Sequence, residues 1–252
     1  MVKVYTTVMN KGGCLKTSIT TNIGSQLSLQ GKKVLIIDLD EQRNVLMTFQ
    51  INNTEFDIEN WLLNEVEFDS VKVNVSSGLD IVNGPQSLYK FEKKIKEANV
   101  GLSVLKEKID EVREQYDYVI IDTPPSFSIT TSIGMAAANE LLVPFQPEMY
   151  GSAGLVRTID QIDDMKANVN PDARIKRVIP TKIVKRSKHH RKVVQECEQF
   201  LSSKGIELSK VRIWDTMDGV NSIFEEKRPP VLSRKSNKLK QVYRTLAKEV
   251  TS

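Results

Sequence analysis

The chain has 252 residues and a formal net charge of +4, long enough for one α/β domain, residues 1–252, with a sizeable core. No Pro/Gly/Ser-rich linker, low-complexity tract or internal repeat divides it, and no apolar run approaches the roughly 18 residues of a membrane-spanning helix. Its two cysteines, Cys14 and Cys197, lack metal-ligand spacing, and the N-terminus is too short and β-like for a signal peptide, so a reducing, cytoplasmic setting is expected.

Residues 2–8 read as a strand, followed by the glycine loop KGGCLKTS and a helix with Ile19, Ile23 and Leu27 on one face. Gly31 is placed to end that helix. KKVLIID is a second strand, and its unbroken apolar run suits burial on both faces, as in a parallel sheet. Strand, loop, helix and strand make a βαβ unit of about 35 residues. Further along, LDIVNG, YDYVIID, ELLVPF and IKRVIPTKIV read as strands. Residues 102–115 read as a helix on Leu102, Leu105, Ile109 and Val112, and residues 151–169 as another. SKHHRKVVQECEQFLSSKG is a helix capped by Ser187, with Val193, Cys197, Phe200 and Leu201 as its apolar face. From Ser236 onward, Leu239, Val242, Tyr243, Leu246 and Val250 mark a last amphipathic helix. This alternation predicts a mostly parallel sheet with helices on both faces. Ligands on such sheets bind beyond the carboxyl ends of the strands, where the polar clusters of this chain lie.

The first cluster is the loop after the first strand. Gly12 and Gly13 let the backbone approach a ligand closely, and the N–H groups that open the following helix favour an anion. Lys16 reaches toward phosphate oxygens, and the Thr17 hydroxyl is suited to the shell of a Mg²⁺ ion. The loop departs from G-x-x-x-x-G-K-[ST], with Asn10 and Leu15 at the glycine positions and a second lysine, Lys11, before the glycine pair. In IIDLDEQRN, Asp38 and Asp40 alternate with apolar residues at a strand end and are expected on that ground to point to different sides, one to a metal and the other to an attacking water. Asp122 ends an apolar strand, as a carboxylate that holds Mg²⁺ through water must. Pro124 and Pro125 stiffen the loop that follows, placed to sense a γ-phosphate.

KGGCLKTS, IIDLDEQRN and YDYVIIDTPPS resemble the deviant Walker A, Walker A′ and Walker B motifs of the ParA partition ATPases, of the ParA/MinD superfamily. FQPEMYGSAGL and the closing EEKRPPVL stretch also fall where that family has matching segments, so the resemblance spans nearly the whole chain. It implies a P-loop NTPase fold, ATP and Mg²⁺ as cofactors, and an ATP-bound homodimer. Residues Lys11, Gly12, Gly13, Cys14, Leu15, Lys16, Thr17 and Ser18 are then the nucleotide loop. Lys11 is expected to reach the other subunit's ATP, Lys16 to bind phosphates in its own, and Thr17, Asp38 and Asp122 to hold the metal. Asp40 is implied to position the attacking water, which makes Lys11, Lys16 and Asp40 the catalytic set. Leu15 replaces a usual glycine, Glu41 and Arg43 replace Pro and Gly, and IWDTMDGV replaces a segment that often reads IPR. Adenine contacts are not carried over.

Charge is uneven along the chain. Residues 1–170 hold 16 Lys/Arg against 23 Asp/Glu, and residues 171–252 hold 20 against 9. Two acid-free stretches, 182–192 and 227–240, carry six Lys/Arg each. Such clusters bind phosphate backbones without reading sequence. The family resemblance makes the expected partner non-specific DNA, with Lys185, Arg186, Lys188, Arg191 and Lys192 as leading contacts. It adds a ParB-type centromere-binding protein that stimulates slow hydrolysis. His189 and His190 are expected to be surface residues. Operator binding through an N-terminal helix-turn-helix is not expected. The alternative is a MinD-like membrane-associated ATPase, which would need the last helix to serve as a membrane-targeting tail.

Overall fold

Strands that are apolar at every position need cover on both faces. In the computed structural model, which describes residues 2–52, 54–148, 151–235 and 237–252, the strands are β1 (Lys3–Thr7), β2 (Val34–Asp38), β3 (Lys72–Ser76), β4 (Leu79–Val82), β5 (Tyr118–Asp122), β6 (Glu140–Phe145) and β7 (Arg174–Pro180). They form a seven-stranded sheet in the order β3-β4-β2-β5-β1-β6-β7. All neighbours are parallel except β3 with β4. The helices are α1 (Lys16–Leu29), α2 (Asn44–Phe49), α3 (Ile58–Leu62), α4 (Phe68–Val71), α5 (Leu88–Glu97), α6 (Val104–Val112), α7 (Ile129–Ala136), α8 (Gly151–Asn168), α9 (Lys188–Ser203), α10 (Asp218–Glu226) and α11 (Lys238–Thr251).

Successive strand residues point to opposite faces, which divides the core. Leu35 and Ile37 of β2, with Val119 and Ile121 of β5, pack among Trp61, Phe91, Leu105 and Ile133. Their neighbours Ile36 and Ile120 pack against Ile19, Ile23 and Leu27 of α1 and against Tyr243 and Leu246 of α11. A third cluster joins Leu141, Val143 and Phe145 of β6 to α8 and to Val193, Cys197 and Leu201 of α9. Phe200 stands partly buried beside it.

Local signals set the helix ends. Gly31 takes φ +79°, with its N–H on Ser28 O (2.9 Å) and the Lys32 N–H on Leu27 O (3.2 Å). That is a Schellman termination of α1, for which a left-handed glycine is suited. Ser187 accepts from the His190 N–H and so caps α9. Leu239, Tyr243, Leu246 and Val250 of α11 are buried in the core, and the Tyr5 hydroxyl donates to Val250 O at 3.1 Å. The apolar face of the last helix is thus used for packing. Among the described residues no helix is long and apolar enough to cross a membrane.

Some boundaries differ from the sequence reading. β7 ends at Pro180, because Lys182 turns the chain at φ +50°. The helix expected over 102–115 is α6 followed by a short 3-10 turn, Arg113–Gln115. β3, α2 to α5, α7 and α10 had no counterpart in that reading. In the segment FQPEMYGSAGL, Met149 and Tyr150 lie outside the described residues.

Candidate nucleotide-binding site

The register of the central strands brings three polar side chains into one row. Thr7 of β1 pairs with Asp122 of β5, and Asp122 pairs with Asp38 of β2. Asp38 and Asp122 are both fully buried. The loop after β1 closes over this row. Thr17 Oγ1 donates to Asp122 Oδ2 at 2.5 Å, and Thr20 Oγ1 donates to Thr7 Oγ1 at 2.9 Å. Burial raises the Asp122 carboxyl to about 7, against the opposing pull of the Thr17 hydroxyl and Lys16. Burial, with Asp122 beside it, holds Asp38 well above the usual carboxylate range. Two buried carboxyls at a strand edge under a hydroxyl are costly unless a cation joins them.

Lys16 is buried, and its Nζ donates to Met9 O (3.2 Å) and Lys11 O (3.1 Å). Lys11 turns the other way and forms an ion pair with Glu148. Cys14 is buried with Sγ 3.2 Å from Lys11 O, and burial pushes its thiol up. Leu15 sits at φ +72°, ψ +28°, and Gly13 also has φ +72°. The left-handed backbone that a glycine would supply at residue 15 is therefore present with a leucine in it. Arg43, at the other family glycine position, has φ +50°. Its guanidinium holds Asp57 at 2.7 Å and donates to Pro85 O.

Residues two apart in a strand share a face, so strand geometry does not part Asp38 from Asp40. The parting arises because β2 ends at Asp38. Asp38 Oδ1 accepts from the Asp40 N–H (2.9 Å) and its Oδ2 from the Val45 N–H (3.2 Å), which ties it beneath the turn. Asp40 stands beyond the strand, with Oδ1 accepting from the Gln42 N–H, and it lines a cleft of about 500 Å³. Residues 12–18, Asn44, Met47, Pro125 and Phe224 form other parts of that wall.

The expected metal ligands are two carboxylates and a hydroxyl at the loop. Among the described residues there is no cluster of three or more His, Cys, Asp or Glu able to cage an ion. Mg²⁺ is commonly held by one or two carboxylates together with substrate phosphates and waters, so Thr17, Asp38 and Asp122 fit it.

Lys185, Arg186, Lys188, Arg191 and Lys192 are all exposed, at and just before the start of α9. In the second basic stretch Lys235 and Lys240 are already engaged: Lys235 pairs with Glu225 at 2.7 Å, and Lys240 Nζ donates to Ser233 O. His190 is half-buried, and its Nδ1 accepts from the Val184 N–H.

The sequence reading missed two residues near the loop. A Cβ on Gly84 would stand 2.3 Å from Asp40 O, so the backbone after β4 approaches Asp40 only because residue 84 has no side chain. Lys182 falls in the basic stretch, yet a Cβ on Gly13 would meet its Nζ at 3.6 Å, beside the nucleotide loop. The glycine after LDIVN was a visible signal for the first. The second had none, because it depends on where β7 ends.

A family described as an AAA domain matches residues 2–175. A ParA family protein of Mycoplasma pneumoniae is 30% identical over 258 residues, covering 96% of this chain and 95% of the relative. A chromosome-partitioning ATPase Soj of Treponema pallidum is 28% identical over 207 residues, 81% of each chain. In structure, cobyrinic acid a,c-diamide synthase from Mycobacterium smegmatis with bound ADP and magnesium has a TM-score of 0.80 at 27% identity, covering 98% of this chain and 93% of that one. With a glycine loop over two strand-end carboxylates and a ParA family relative matched over 95% of its length, the chain belongs to the ParA family.

Proposed function

We propose that the chain is a magnesium-dependent DNA-partition ATPase. ATP closes two copies into a sandwich dimer, the dimer binds DNA without reading sequence, and slow hydrolysis, stimulated by a ParB-type centromere-binding protein, releases it. The observation that carries this reading is the junction of loop and strand ends, with Thr17 Oγ1 on Asp122 and Asp38 in register beside it. A chromosome-partitioning relative and a similar structure with ADP and magnesium support it.

The backbone N–H groups of residues 12–18 and the Lys16 ammonium hold the phosphates within one subunit. Lys11 crosses to the partner's nucleotide, exchanging its Glu148 carboxylate for phosphate oxygens. Magnesium, when bound, neutralises phosphate charge, and Thr17, with Asp38 and Asp122 through water, is the set that holds it. Asp40 orients the attacking water from the cleft wall.

The DNA face is Lys185, Arg186, Lys188, Arg191 and Lys192. The first turn of α9 holds no acidic residue, so cations crowd the positive end of a helix dipole. That arrangement is unfavourable in the free chain, and a phosphate relieves it. The working location is accordingly the cytoplasmic nucleoid. The apolar face of α11 is buried, which leaves a MinD-like membrane tail without the surface it needs.

The test is ATP turnover, with and without duplex DNA and a candidate ParB-type protein, in wild type and Asp40→Ala. DNA and partner together are expected to raise the wild-type rate. Asp40→Ala is expected to bind Mg-ATP and dimerise while losing about 10²–10⁴-fold in turnover. Near wild-type turnover in Asp40→Ala rejects the assignment of Asp40. No stimulation by DNA with any partner rejects the partition cycle.

A further inference from the structure

Ile183 and Trp214 form a parallel bridge, in which the Ile183 N–H donates to Ile213 O (3.0 Å) and the Asp215 N–H donates to Ile183 O (3.1 Å). This fixes the Trp214 backbone from both sides. Trp214 is half-buried, and Lys185 lies across its indole with Nζ 5.1 Å from the ring centroid. A cleft opens on each side of this pair, of about 430 and 300 Å³, sizes typical of ligand sites. Lys238 lines one, and His190, Arg191 and Arg212 line the other. Each cleft also holds one carboxylate, Asp215 or Glu198. Cations outnumber the carboxylate in each cleft, which suits phosphates near their charged groups, while Ile183, Val184 and the Trp214 ring, shared by both clefts, give the apolar wall that an uncharged ring needs.

We propose that Trp214 is a stacking platform for an unpaired nucleobase, so that the basic face holds single-stranded nucleic acid through a base as well as through phosphates. This rests on the DNA-binding reading above and goes beyond it, because cations on phosphates alone do not distinguish paired from unpaired strands. Lys185 is the cover that must move. An exposed cation–π contact is worth about a 2- to 5-fold change in equilibrium, against roughly 5- to 150-fold for a base stacked on an aromatic ring. The base therefore displaces the ammonium, and Lys185 is released to a neighbouring phosphate.

The chain has two tryptophans, and Trp61 is buried in the core, so a change in emission on binding reports Trp214. The experiment titrates the full chain with ATP and magnesium against oligothymidylate, oligouridylate of equal length, and duplex DNA. Single strands are expected to quench the emission, and the two oligomers show whether DNA or RNA supplies the base better. Trp214→Ala is expected to lose about tenfold in single-strand affinity while its duplex affinity changes less than about twofold. Trp214→Phe should keep most of the single-strand affinity, which separates loss of stacking from loss of fold. Single strands that bind without quenching, or with wild-type affinity in Trp214→Ala, overturn the proposal. Duplex binding with no single-strand binding also overturns it and leaves the DNA-binding reading standing. Failure of all three nucleic acids removes both.

Discussion

At residue 15 a leucine occupies left-handed backbone, which costs about 1–2 kcal/mol. The same side chain packs at the edge of the α1 core, where burying part of a leucine returns roughly 1 kcal/mol. The two effects nearly cancel, so Leu15→Gly should change stability by less than about 1 kcal/mol. Leu15→Ala keeps the strain and loses the packing, and it should fall about 1 kcal/mol below the glycine variant. Urea unfolding of the three proteins gives the ranking, and an alanine variant as stable as the glycine variant would show that residue 15 is not strained. The buried carboxyls give a second residue-level consequence. Asp38 and Asp122 have raised values, Asp122 to about 7, so the folded chain keeps a proton that the unfolded chain releases near pH 4. The contribution of this pair to stability therefore falls as pH rises from about 4 to about 7. Thermal melts across that window should show the decline without ligand and a flatter curve with magnesium and ATP. A rise in stability from this source would contradict the burial of the pair.

At the scale of elements, one ion pair ties the turn from β2 into α2 to the start of α3. Arg43 and Asp57 are both nearly buried, and Asp57 also caps α3 with a capping box. Breaking a buried pair costs about 3 kcal/mol or more, and a glycine at φ +50° recovers about 1 kcal/mol. Arg43→Gly should therefore lose about 2 kcal/mol, although the family often has glycine there; a calorimetric scan with an unchanged midpoint would refute this. The parallel strands were legible because each is a continuous apolar run ending in a polar cluster. β3 was not, because KVNVS is half-exposed with few apolar residues, and its place comes from pairing with β4. The nucleotide loop, Asp38 and Asp122 were legible as chemistry at strand ends. The separation of Asp38 from Asp40 was read for the wrong reason, since it comes from where β2 stops. Gly84 and Lys182 act through approaches between distant segments, which spacing along the chain does not encode.

For the whole molecule, five exposed cations of the basic third gather at the start of α9, with Lys192 3.8 Å from Glu196, while Lys235 and Lys240 of the second stretch are engaged internally. DNA affinity should require ATP, since one copy alone offers few phosphate contacts. The logarithm of affinity should then fall with the logarithm of salt, at a slope of roughly −0.9 per contact. Reversing the charge of Lys185 and Arg186 together should reduce affinity and slope and leave ATP-driven dimerisation intact. The same change at Lys90 and Lys93, on α5, should do little. Wild-type affinity and slope in the first variant would move the DNA face elsewhere.

The position of β1 has a consequence for how the site comes into being. The strand that carries the nucleotide loop is made first, yet it lies between β5 and β6, and α1 lies under α11. As the chain leaves the ribosome, residues 3–7 have no strand to pair with until residues 118–145 have emerged. The carboxylate beneath Thr17 comes with the same late segment. Parallel pairing over such separations is slow to form. A nascent chain that stops short of Asp122 thus carries the phosphate-loop sequence without a pocket, and ATP cannot guide its early folding; nucleotide enters only when the sheet is nearly complete.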